Sequence, residues 1–107
     1  MRIILGLAAL AALGATAASA QPGHLTDQAY LQAARCVGLA SSKSMGVSDS
    51  QSMKSWLEAQ SIGRQPYILE KGDEMQSDAK HQADRADDMA RMRLQAELSG
   101  QCATLRG

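Results

Sequence analysis

The sequence predicts a small all-α protein of three helices, in which two short helices pack on one long helix and one disulfide staples the assembly. Three observations predict this fold class. Apolar residues recur at helical spacing over residues 26–99. No window alternates between apolar and polar residues in the way a half-buried strand does. Two cysteines, Cys36 and Cys102, remain after an apparent export signal, and an even count in a short exported chain favours a disulfide.

The first twenty residues have the pattern of a removable export signal. Arg2 supplies the positive charge, residues 3–13 are apolar, and a run of small residues ends at Ala20, before Gln21. An apolar run of about eleven residues is too short to span a bilayer. We therefore expect cleavage between Ala20 and Gln21, a single helical domain over residues 21–107 without a membrane anchor, and a periplasmic or secreted location.

The charge balance of that domain argues against two classes of partner. The whole chain has 11 Lys and Arg and 11 Asp and Glu, so loss of Arg2 with the signal leaves a net charge of about −1. A nucleic-acid-binding protein normally carries a concentrated basic surface, and none is indicated here. The same balance gives no attraction to anionic lipid. We expect neither nucleic acid nor a membrane surface as the partner.

Cys36 and Cys102 are expected to form a structural disulfide. Only one intramolecular pairing exists, although a disulfide-linked dimer is an alternative. In the chain-entropy model, closing a loop of this length stabilises the fold by roughly 4 kcal/mol. A redox-active pair would have the two thiols close together in the sequence, as in Cys-x-x-Cys, and these lie far apart.

The first two helices are marked by capping residues and glycines. Thr26 can cap the first helix, which the polar residues 41–46 end. Ser48 and Gln51 fit a capping box for the second helix, and Gly63 stands where a C-terminal glycine is expected. Both helices therefore have recognisable beginnings and ends.

The third helix is expected to begin with Pro66 at its first position and to stop at Gly100. Gly72 costs about 1 kcal/mol relative to alanine inside a helix, so we expect a kink or short break there. Asp87 and Arg91 stand at the spacing of a favourable ion pair. The expected core anchors of the three helices are Tyr30, Val37, Trp56, Leu57, Ile68 and Met75.

Three residues could take part in metal binding. Met89 and Met92 lie three positions apart on the third helix, and His81 lies two turns earlier. Thioether and imidazole groups bind copper, but about 12 Å of continuous helix would separate His81 from Met89. Methionine more often fills gaps in a core. We therefore expect packing roles and no cofactor, with a copper or zinc site at His81, Met89 and Met92 as the alternative.

No catalytic pattern is present in the sequence: it has no glycine elbow around a serine, no phosphate-binding glycine loop and no His-Glu-x-x-His motif. We expect a non-enzymatic exported protein that binds another envelope protein, associates with itself or supports the envelope. A narrow stripe of small residues on the long helix would leave surface free for such contacts. The alternatives are a periplasmic stress chaperone of the holdase type and, less favoured, copper or zinc handling.

Overall fold

The computed structural model describes residues 23–106, which are predominantly helical and contain no strand. Four α-helices follow one another as α1 Asp27–Ser41, α2 Ser50–Ser61, α3 Pro66–Asp84 and α4 Asp88–Glu97. The shorter elements are a 3₁₀ turn, Lys43–Met45, a π-helical turn, Leu98–Cys102, and a last α-helical turn, Ala103–Arg106. The predicted small all-α fold is confirmed.

The predicted export signal, with Ala20 and Gln21 at its cleavage site, lies outside the described residues. Within residues 23–106, no helix combines the length and the apolar composition that crossing a bilayer requires. The disulfide described below is compatible with an oxidising compartment.

Three predicted helix boundaries are confirmed. Thr26 precedes α1, and its Oγ1 accepts a hydrogen bond from the amide of Ala29 at 3.1 Å. Gly63 follows α2 in the left-handed region, with φ of 85°, where a side chain would be strained. Pro66 is the first residue of α3. These local signals act within one helical turn, so the sequence pattern alone identifies them.

The predicted capping box of α2 is wrong. The helix begins at Ser50 with Asp49 as its N-cap, and no side chain caps the first turn. The Asp49 carboxylate instead accepts a hydrogen bond from Nη1 of Arg106 at 3.3 Å. The Asp49 side chain therefore pairs with Arg106 of the C-terminal turn instead of capping the helix.

The predicted break at Gly72 is also wrong, because α3 passes through this residue without interruption. A Cβ atom added at Gly72 would lie 3.0 Å from Cε2 of Tyr30. The glycine therefore makes room for an aromatic ring that packs from α1. Burial of that ring offsets the conformational cost of a glycine in the helix.

The long helix breaks instead at residues 85–87. The Asp87 side chain accepts a hydrogen bond from the amide of Ala90 at 2.9 Å and so caps a new helix, α4. The predicted Asp87–Arg91 ion pair is wrong for the same reason, since the Asp87 carboxylate is used as the cap. Arg91 pairs with Asp88 at 3.0 Å.

Helical structure continues past Gly100, where the sequence predicted a stop, through a π-helical turn. Leu94, Leu98 and Cys102 recur every four residues, which exceeds the 3.6 residues of an α-helical turn. A π-helical turn closes with i→i+5 hydrogen bonds and takes up more residues per turn. It therefore keeps Leu98 and Cys102 on the side of the helix that faces the core.

Helix α1 lies at the centre of the fold, in contact with α3, α2 and the π-helical turn. It approaches α3 closely at Gly38, where an added Cβ would lie 2.1 Å from the carbonyl oxygen of Gln76 and 2.9 Å from Cβ of Ala79. Small residues let two helix axes come close together. The absence of a side chain at Gly38 thus sets the separation of the two longest helices.

Two clusters of buried side chains form the core. Tyr30, Val37 and Leu57 of the predicted anchors are buried, whereas Trp56 and Ile68 pack at the margin of the first cluster. Met75 is only partly buried and belongs to neither cluster, because α3 faces α1 through smaller residues. The first cluster consists of Tyr30, Ala33, Ala34, Val37, Ala40, Met53 and Leu57. The second consists of Leu39, Met45, Ala79, Ala83 and Leu94.

The predicted disulfide is present and joins α1 to the C-terminal turns. Cys36 and Cys102 are bonded, with their Cα atoms 5.7 Å apart, and both are buried. Beside them, the Arg35 guanidinium donates to both carboxylate oxygens of Glu97, at 2.7 and 2.9 Å, and to Oε1 of Gln82 at 3.0 Å. A covalent bond and a bidentate ion pair therefore hold the end of α4 on α1.

Arg64 fastens the α2–α3 connection to the start of α1. Its side chain is only 2% exposed, and its guanidinium carbon lies 4.5 Å from the centre of the Tyr30 ring. Its three nitrogens donate to Oδ1 of Asp27 and to the carbonyl oxygens of Leu25 and Gln60, each at 2.7 Å. Because all three nitrogens are used, the positive charge is buried at little cost in lost hydration.

Asp84 fastens the end of α3 to the segment after α1. Its Oδ1 accepts a hydrogen bond from the hydroxyl of Ser42, a buried residue, at 2.6 Å. Its Oδ2 accepts one from Nζ of Lys80 at 2.9 Å. The hydrogen bond from Ser42 and then that from Lys80 hold the pKa of Asp84 below its ordinary value.

Acid is therefore expected to weaken the fold through Asp84. A carboxyl whose pKa is lower in the folded state stabilises the fold above its unfolded pKa, near 3.9, and this stabilisation is lost as the pH falls through the folded value. In Asp84→Asn, the urea midpoint should vary less with pH between about pH 5 and pH 2 than in the wild type. Asp78→Asn is the control, since Asp78 is exposed and forms no ion pair within residues 23–106. Equal slopes in wild type and Asp84→Asn would contradict this role.

Candidate functional site

A cavity opens where the 3₁₀ turn, the start of α2 and the C-terminal turns meet. Its volume is about 320 Å³, and we call it the C-terminal pocket. Its apolar walls are formed by Met45, Val47, Met53, Leu98 and Cys102. Its remaining lining residues are Asp49, Gln95, Ser99, Ala103 and Arg106.

Each wall of the pocket is positioned by a feature of the local chain. Gly46, with φ of 67°, ends the 3₁₀ turn and redirects the chain so that Met45 and Val47 both reach the pocket. The disulfide holds Cys102 against α1, and the π-helical turn places Leu98 on the same side. The pocket therefore depends on the disulfide for one of its walls.

The polar lining of the pocket includes an ion pair. Nη1 of Arg106 lies 3.3 Å from Oδ2 of Asp49, and the two side chains are 37% and 52% exposed. An exposed pair of this kind contributes roughly 0–1 kcal/mol to stability. The pair can consequently open at little cost, and each group can then form an ion pair with a charge on a bound molecule.

The pocket suits apolar side chains better than a large cofactor. Its volume lies near the lower end of the roughly 300–1,000 Å³ typical of small-molecule sites. Two of its walls are methionines, whose flexible thioether chains adapt to apolar surfaces of different shape. The pocket can therefore bind an apolar group by contact, with the positive Arg106 and the negative Asp49 beside it.

The residues considered for metal binding lie away from this pocket. Met89 and Met92 are 69% and 68% exposed on α4, so the expectation that they pack in the core is wrong. Helix α4 buries only Leu94, and its other side faces solvent. His81 is also exposed, on α3, and the break at residues 85–87 separates it from the methionines. Within residues 23–106, no group of three or more His, Cys, Asp or Glu side chains is placed to hold a metal ion.

Most of the pocket is formed by residues that sequence reasoning did not single out. Met45 lies within the segment taken as a polar turn, yet it is buried. One apolar side chain among polar neighbours is the signal that could have marked it. Asp49 and Arg106 meet only in the folded chain, and nothing in their sequence positions indicates the pair.

Comparisons with protein-family models, with curated proteins and with solved structures find no match to this chain. The geometry of the described residues and the pattern of the sequence are therefore the basis for a functional proposal.

Proposed function

We propose that this chain is an exported, non-enzymatic binding protein that holds another envelope protein through the C-terminal pocket. The apolar pocket beside the Asp49–Arg106 pair is the observation that carries the proposal. The signal pattern at the N-terminus and the buried disulfide support export.

The partner is a protein that inserts one or two large apolar side chains between Met45, Met53 and Leu98. The size of the pocket matches such an anchor, and well-packed apolar anchors dominate the energetics of protein interfaces. Charged residues on either side of the anchor would meet Asp49 and Arg106. That electrostatic match favours the correct orientation and speeds association.

Filling the pocket is expected to weaken partner binding strongly. Ala103 lines the pocket and is exposed, so Ala103→Trp fills it without removing a core side chain. Thr104→Trp is the matched control, because Thr104 is exposed on the same turn and does not line the pocket. A photo-crosslinking residue at Ser99 identifies the partner in native envelope, and the purified partner is then titrated against both variants. We expect at least tenfold weaker binding for Ala103→Trp and less than twofold change for Thr104→Trp.

Two outcomes would contradict the binding function. One is the absence of any discrete cross-linked partner, and the other is equal weakening by both tryptophan variants. Export is tested separately by the mass of the native protein, which should begin at Gln21. Its two cysteines should react with alkylating reagent only after reduction.

A further inference from the structure

Helix α4 carries apolar side chains on two opposite sides. Leu94 is the one residue of α4 that is buried, and it packs in the second core cluster. At about 100° of rotation per residue, Met89 and Met92 lie roughly 140° and 160° around the helix from Leu94, so they share the opposite face. They are 69% and 68% exposed. A surface helix normally has polar residues on the face away from its core, so this pair of methionines indicates a second contact.

The exposed face of α4 is open to another molecule. The helix lies at the edge of the fold, where it packs on the 3₁₀ turn Lys43–Met45 and continues into the π-helical turn. Ala96, one turn after Met92, is exposed on the same side. Methionine side chains are flexible and adapt to an apolar surface that they meet. We call the surface formed by Met89, Met92 and Ala96 the α4 face.

The α4 face has a negative charge on one flank and a positive charge on the other. Asp88 directly precedes Met89, and Arg93 directly follows Met92. The Asp88 side chain is 94% exposed, and its Oδ1 pairs with Arg91, which leaves its other oxygen for a second contact. Arg93 is exposed and forms no ion pair within residues 23–106. A surface that fits the α4 face therefore has a positive group opposite Asp88 and a negative group opposite Arg93.

We propose that the α4 face binds the α4 face of a second copy of this chain, with the two helices parallel. In the seven-residue repeat of paired helices, Met89 and Met92 take the central positions a and d. Asp88 and Arg93 then take the flanking positions g and e. In a parallel pair, a residue at g lies beside the residue at e that comes five positions later on the other helix. Arg93 comes five positions after Asp88, so Asp88 of each copy meets Arg93 of the other.

The flanking charges select the parallel arrangement. In an antiparallel pair, g positions lie beside g positions and e beside e, so Asp88 and Arg93 would not meet. The parallel pair forms the Asp88–Arg93 contact twice. The exposed Asp88–Arg91 pair within each copy is worth little and does not prevent it. A contact of about two helical turns is at the small end of protein interfaces, so the dimer is weak and reversible.

Sedimentation equilibrium of the processed, oxidised protein, up to millimolar concentration, tests the apolar part of the contact. We expect a monomer–dimer equilibrium in the wild type. The double variant Met89→Gln and Met92→Gln should dimerise at least tenfold more weakly. Ile62→Gln is the matched control, because Ile62 is 74% exposed and lies outside α4. It should change the dimer dissociation constant less than twofold.

Charge reversal tests the parallel register. Arg93→Glu places two carboxylates beside each other at both ends of the contact, so it should weaken dimerisation at least fivefold. Adding Asp88→Lys to Arg93→Glu restores opposite charges across the pair and should return the dissociation constant to within about twofold of the wild type. Circular dichroism confirms that each variant keeps its helical content.

Three results would overturn the proposal. They are a wild type that stays monomeric at millimolar concentration, equal dimerisation of the methionine variant and the wild type, and failure of Asp88→Lys to restore dimerisation in folded Arg93→Glu. None of the four residues changed on α4 lines the C-terminal pocket. A failure of the dimer and a failure of the pocket function are therefore distinguished, because these variants should bind the partner of the pocket normally.

Discussion

Replacing both Cys36 and Cys102 by alanine is expected to lower the free energy of unfolding by about 4 kcal/mol. The bond joins positions 66 apart in sequence and encloses α2, α3 and α4. Without it, the unfolded chain gains the conformational entropy that the closed loop removes. Domains are commonly stable by only about 5–15 kcal/mol, so a large share of the margin would be lost. Urea unfolding followed by far-ultraviolet circular dichroism measures the change.

Reduction of the wild-type protein provides the matched control for the alanine variant. It breaks the same bond and keeps both sulfur atoms, so the two measurements separate loop entropy from lost packing at the buried cysteines. The reductant should have no effect on the double variant. Stability within 1 kcal/mol of the oxidised wild type would show that the Arg35–Glu97 ion pair and the apolar contacts already hold the C-terminal turns.

The helical fold class was predictable because its signals are local. Thr26, Gly63 and Pro66 act on the one or two turns beside them, and the structure confirms all three. The disulfide was predictable for a different reason, since two cysteines allow one intramolecular pair. The fold class therefore follows from local helix signals, and the disulfide follows from the number of cysteines.

The position of the helix break was not predictable from propensity. Gly72 carries the larger local penalty, yet the Tyr30 ring packs against it from a distant part of the sequence. From the sequence, the Asp87 carboxylate could either cap a new helix or form an ion pair with Arg91. In the structure it caps the helix. A tertiary contact with Tyr30 decided the first case, and a local cap on the amide of Ala90 decided the second.

The candidate site was even less predictable, because distant segments build it. Residues 45–53 and 95–106 form the C-terminal pocket, and the disulfide ties the second of these segments to Cys36 of α1 rather than to the first. A groove is left between α2 and α3 because both of these helices pack on α1. Periodicity indicates which face of a helix is apolar, and it does not indicate which helix will cover that face.

Gly38→Ala is expected to destabilise the protein by about 3 kcal/mol, the upper part of the usual range for overpacking. The added methyl group would overlap the carbonyl oxygen of Gln76, a backbone atom that no change of rotamer can move. The two helices must separate, which loosens the contact with Ala79 as well. Helix propensity opposes this loss by at most about 1 kcal/mol. The difference is measured from the urea midpoints of the two proteins, provided that the free energy of unfolding depends on urea concentration with the same slope in both.

Two other glycines give a graded control for this close approach. At Gly72 the added Cβ meets the Tyr30 ring at 3.0 Å, and the ring can shift by a few tenths of an ångström, so Gly72→Ala should cost less than Gly38→Ala. At Gly100 no atom lies within 4 Å, and alanine should be neutral or stabilising by up to about 1 kcal/mol. If Gly38→Ala proved as stable as Gly100→Ala, α1 and α3 would have to lie farther apart than the contact at Gln76 requires.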